Sequence, residues 1–123
     1  MAGIFFLESI RRAARERARK KRVRAAASWP QAQGQINSWK IVPAGDVSES
    51  FSQTDAIEAG FHFTLNGEYY GGYLRSIAMG RREAEKLAAG NPPVTVRYDP
   101  ANPDRTVVLA EDNAALPFAI VSG

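Results

Sequence analysis

The sequence contains no cysteine and a single histidine, His62. Without cysteine there is no disulfide framework, no thiol nucleophile and no thiolate-ligated metal. The absence fits a reducing compartment. One imidazole is thin support for a transition-metal site. No run approaches the roughly 18 apolar residues that span a bilayer. The early run Ile4-Phe5-Phe6-Leu7 is stopped by Glu8. A secretory signal carries positive charge ahead of a longer apolar stretch, and here the order is reversed. The expectation is therefore an unsecreted, non-spanning chain in the cytoplasm, with peripheral membrane attachment allowed. The phosphate-binding patterns G-x-x-x-x-G-K-[ST] and G-x-G-x-x-G are missing too, so nucleotide handling has no motif.

What is present is an uneven distribution of charge. Residues 1–28 hold nine arginines and lysines against Glu8 and Glu16, while residues 29–123 hold seven against eleven. A basic arm thus precedes a mildly acidic body, a pattern that points to an anionic partner. From residue 4 to 28 the arm lacks proline and glycine and is rich in Ala, Arg, Lys and Glu, all good helix formers. Its cations surround the helix rather than gather on one face. Only Phe6, Ile10, Ala13 and Ala14 form a short apolar stripe. The arm is expected to divide near residue 14, into a part that can dock and a charged part that stays wet. The residues expected to touch an anionic partner are Arg15, Arg17, Arg19, Lys20, Lys21, Arg22 and Arg24. Trp29-Pro30 ends the helix, because a residue before proline avoids the α region.

The body, residues 29–110, reads as β-rich. Ala32–Val42 is extended, and residues 43–55 are a loop by composition. Asn66-Gly67 between two β-rich runs is a type I′ hairpin signal. Its two-residue turn sets Leu65 opposite Glu68, Phe63 opposite Tyr70 and Phe61 opposite Gly72. Phe61, Phe63, Leu65, Tyr70 and Leu74 then share the core face. His62, Thr64, Tyr69 and Tyr73 share the other, aromatic enough to be expected partly covered, with the arm as the cover. Gly71-Gly72 suggests a sharp bend. A short helix is expected over Gly80–Ala89, with Ala84, Leu87 and Ala88 inward and Gly90 as its αL terminator. Val94–Tyr98 and Thr106–Ala110 are strands, joined by the rigid turn Asp99-Pro100-Ala101-Asn102-Pro103. Residues 111–123 form an apolar tail that either packs back as an edge or makes an oligomer contact. The fold class expected is α+β, mainly β: a small antiparallel sheet curled into a barrel or sandwich, one short helix between strands, and a long basic N-terminal helix in front.

Several pieces together carry a resemblance: Trp29-Pro30, Gly34-x-Ile36, the Phe63…Gly67-x-Tyr69-Tyr70 hairpin, a helix with Ala84 and Leu87, and Val94-x-Val96-x-Tyr98-Asp99-Pro100-x-Asn102-Pro103. Over about residues 29–109 the chain resembles the bacterial domain of unknown function 3592 family. The resemblance implies a small β-rich domain with one helix, often found beside transmembrane helices, and it supplies no catalytic residues. This chain differs in having no apolar span beside the domain.

A search for chemistry finds little. His62 lies mid-strand among aromatics, with no nucleophile and carboxylate placed for it. Asp99 and Asn102 suit Asx turns better than calcium. Glu83 and Glu85, two apart on a helix, do not share a face. Tyr69, Tyr70 and Tyr73 with Phe61 and Phe63 suit core packing better than a base-stacking platform. The expected function is a non-enzymatic interaction module without cofactor, docked by its arm to an anionic membrane surface or a protein partner. A non-specific nucleic-acid binder using the same arm is the alternative. The apolar tail and the aromatic second face would also suit a homo-oligomer.

Overall fold

The structure, a computed structural model, describes residues 2–44 and 54–123; for residues 2–6 and 8 it describes the backbone alone. The expected loop over 43–55, with Val47 and Phe51, falls largely outside the described residues, as do the side chains of Phe5 and Phe6. Helix α1 runs from Ala2 to Ala26. It stops three residues before Trp29, in a turn where Ala27, Ser28 and Trp29 each donate a backbone bond three residues back.

Six strands follow: β1 (Gln31–Pro43), β2 (Asp55–Leu65), β3 (Glu68–Ser76), β4 (Pro93–Asp99), β5 (Asn102–Val107) and β6 (Ile120–Val121). Helix α2 (Arg81–Leu87) lies between β3 and β4, and a 3-10 turn covers Ala110–Asp112. All pairings are antiparallel, in the order β5-β4-β1-β2-β3-β6. The mainly β, curled antiparallel sheet expected from sequence is present.

The curl comes from the two long strands, which change neighbours along their length. Residues 31–35 of β1 pair with β4, and residues 35–43 pair with β2, with a bulge between Ile36 and Ser38. Bulges bend a strand and increase its twist. Gly34 sits where this turn brings backbones together; a Cβ there would lie 2.5 Å from the His62 carbonyl oxygen. The curl brings the two sheet edges close. Val108, just after β5, and Gly123, just after β6, exchange two backbone hydrogen bonds of 3.1 Å.

The hairpin register is the expected one, from Leu65↔Glu68 through Phe61↔Gly72. Asn66 (φ 51°) and Gly67 (φ 81°) both take the left-handed region that a type I′ turn demands. Phe61, Phe63 and Leu74 are buried inside the curl with Ile36, Ile57, Val94, Val96 and Val108. Ala84 of α2 joins them, with Leu87 and Ala88 partly buried beside it. Gly90 has φ 76°, and its carbonyl accepts a 2.8 Å bond from Trp39 Nε1.

Three expectations are corrected. β5 starts at Asn102, inside the supposed rigid turn, and ends at Val107. Pro103 costs a donor only at an edge strand, where it is tolerated. β3 is continuous through Gly71-Gly72; the glycine at 72 is there for close approach, since a Cβ would meet Phe61 Cζ at 2.7 Å and Thr106 Oγ1 at 2.9 Å. The aromatic second face is not covered: Tyr69 is 67% and Tyr73 72% exposed. The tail packs back, with β6 on β3 and both Phe118 and Ile120 in the core.

Candidate functional site

The arm meets the body near its C-terminal end. Val23 and Trp29 pack partly buried against a cluster of Ala26, Val107 and Leu109. Because successive strand residues alternate faces, Val107 and Leu109 take the outer side while Val108 enters the main core. One turn earlier, Arg19 is half-buried and donates to the Ser122 carbonyl oxygen at 2.7 Å. The same guanidinium binds both carboxylate oxygens of Glu16. That hydrogen bond holds the Glu16 carboxyl below its ordinary value and pushes Arg19 further up.

This corrects the expected division of the arm. Arg19, Val23 and Ala26, at i, i+4 and i+7, form the docked stripe, whereas Leu7, Ile10, Ala13 and Ala14 are exposed. The stripe escaped notice because its first member is an arginine. Its aliphatic stem can lie on apolar surface while the head group reaches a carbonyl.

Docking sorts the seven expected contact residues into two sets. An α-helix advances about 100° per residue. Arg17, Lys20, Lys21 and Arg24 therefore fall within an arc of about 100° on the side away from the docked stripe, with Ile10 and Ala14 beside them. All are exposed, Leu7 at 55% and Ile10 at 46%. Arg15, Arg19 and Arg22 fall on the inner side. There, with Arg12 and Glu16, they face Ala44 and Arg75 of the body. Arg75, absent from the expected set, donates to the Pro43 carbonyl oxygen.

The remaining residues singled out in the sequence have structural partners. His62 Nδ1 lies 2.9 Å from Asn37 Nδ2, and its ring stacks on Tyr69 at 4.9 Å between centroids. Asp99 Oδ1 accepts the Ala101 N–H at 2.9 Å, and Asn102 Oδ1 accepts the Asp104 N–H at 3.3 Å, so both make Asx turns. Tyr70 stacks on Phe63 and donates to Glu68, which raises its phenol above the ordinary value. Arg81 pairs with Glu85 along α2. Among the described residues there is no group of three His, Asp or Glu side chains that could hold a metal, and no helix long and apolar enough to cross a membrane.

A model of a family described as a domain of unknown function (DUF3592) matches residues 32–113. No curated protein and no solved structure matches the chain. The match takes in β1 to β5 and the 3-10 turn, and leaves α1 and β6 outside it.

Proposed function

This chain belongs to the DUF3592 family, and from that premise we propose that it is a non-enzymatic interaction module resting its basic helix on an anionic membrane surface. The observation that carries the reading is the one-sided docking of α1. The body holds the helix by Arg19, Val23 and Ala26, and the opposite side is left to solvent. That side presents Leu7, Ile10 and Ala14 toward its start and Arg17, Lys20, Lys21 and Arg24 toward its end.

Each cation near an anionic leaflet contributes about 1 kcal/mol. Four in one arc give an attachment that is weak in high salt and firm in low salt. Leu7 and Ile10 favour a membrane over a nucleic acid, since apolar side chains gain by entering the headgroup boundary and find no counterpart on a phosphate backbone.

Vesicle sedimentation tests the reading. The full chain should pellet with vesicles containing phosphatidylglycerol and stay in solution with pure phosphatidylcholine. Arg17→Glu with Lys21→Glu should abolish pelleting at moderate salt, and Leu7→Asn with Ile10→Asn should weaken it. Loss of the reading follows if the wild-type chain ignores anionic vesicles at low salt. A salt-sensitive mobility shift of duplex DNA under those same conditions would put nucleic acid in its place.

A further inference from the structure

Guanidinium groups from two elements line two adjoining open clefts. Arg19 and Arg22 from the inner side of α1 and Arg75 from the outer face of β3 line both, while Arg12 and Arg15 line only the second. Two side-chain carboxylates, Glu16 and Glu58, share these walls. Glu16 is already bound by Arg19, and Glu58 stands opposite Arg75 in the β2–β3 register. Arg15 and Arg22 are exposed and pair with no described acidic group. Cations of one sign gathered in a concave site focus the field and concentrate anions there.

The first cleft, where Glu58 also lies, has an aromatic wall. Tyr73 lines it while remaining 72% exposed. A Cβ on Gly60 would lie 3.4 Å from Tyr73 Cε1, so the ring leans over the bare backbone of β2 with most of its surface in solvent. The volume is about 410 Å³, within the range of small-molecule sites. Arginine forks matched to phosphate oxygens, next to a free ring, are the two halves of nucleotide recognition.

We propose that this cleft binds a soluble nucleotide, with the phosphates between Arg22 and Arg75 and the base on the Tyr73 ring. A lipid headgroup is the poorer fit, because Arg22 lies on the inner side of α1, away from Arg17 and Ile10, and Arg75 lies on the sheet. The site does not depend on the membrane reading and uses different residues.

Calorimetric titration of the full chain at low salt, with ATP and with inorganic tripolyphosphate, is the test. ATP should bind at one site. Arg22→Glu should weaken both ligands at least tenfold. Tyr73→Ala should weaken ATP about tenfold, the equivalent of one base–aromatic stack, leave tripolyphosphate little changed, and be rescued by Tyr73→Phe. Arg17→Glu should alter neither ligand. The three positions are exposed, and circular dichroism verifies that each variant is folded. The proposal is overturned if millimolar ATP gives no binding, if Arg17→Glu costs as much as Arg22→Glu, or if Tyr73→Ala is silent. It is also overturned if a single-stranded oligonucleotide occupies the cleft while ATP does not.

Discussion

Asn113 does at the scale of one residue what a seventh strand would otherwise do. Its Oδ1 accepts the Thr95 N–H at 2.8 Å, and its Nδ2 donates to the Thr95 and Leu109 carbonyl oxygens at 2.9 Å each. The side chain is 7% exposed, so water cannot replace it in these roles. Asn113→Leu keeps the volume and orphans one donor and two acceptors, at a cost of about 2–4 kcal/mol. Urea denaturation should show that loss as a lower midpoint with an unchanged slope. Nothing in the sequence marked Asn113, because its partners are 4 and 18 positions away and follow no periodicity. Asn66 was legible for the opposite reason: its role is fixed by the residue next to it. Arg97 resembles Asn113 in this respect. It holds Asp112 at 2.9 and 3.2 Å and the Trp29 carbonyl oxygen at 2.9 Å, joining three segments that only the fold brings together.

Between elements, the decisive contact is α1 on β5. Composition identified the helix, but its hydrophobic periodicity put the contact face at Phe6, Ile10, Ala13 and Ala14, whereas the stripe that packs mixes an arginine stem with Val23 and Ala26. A 25-residue helix this rich in like charge gains little from packing along most of its length. Its order should therefore depend on a few anchors. Val23→Asp should raise amide exchange throughout α1 and leave the β1–β3 amides protected. A pair within α1 also titrates. Glu16 is held below its ordinary 4.5 by Arg19. A carboxyl lowered in the folded state contributes above that ordinary value and loses its contribution as pH falls through the folded one. The Glu16–Arg19 pair should thus be intact at pH 6 and weaken on acidification below about 4.5. In an NMR titration the Glu16 carboxyl should change at a lower pH than in Arg19→Gln, where it returns toward 4.5.

The whole molecule is a curled sheet whose two edges are tied by Ser122 and Gly123. Gly123 exchanges two bonds with Val108, and Ser122 accepts from both Arg19 and the Ala110 N–H. Deleting Ser122 and Gly123 removes these four bonds, worth together about 3 kcal/mol. It also frees the Val108 N–H and C=O and so lengthens the open edge that begins at β5, a template for pairing with another chain. Lower stability in urea and a larger particle in light scattering are the expected results; an unchanged midpoint would show that the seam is idle. From sequence the tail had two open fates, and the choice between them was set by the curvature of strands far upstream.

The seam also ties two movements together. The Ser122 carbonyl holds Arg19 of α1, its hydroxyl holds the Ala110 N–H, and Gly123 holds Val108. Load applied to α1 therefore reaches the rim of the curl directly. Opening of the rim in turn frees one anchor of the helix, while Val23 and Ala26 stay packed on Val107 and Leu109.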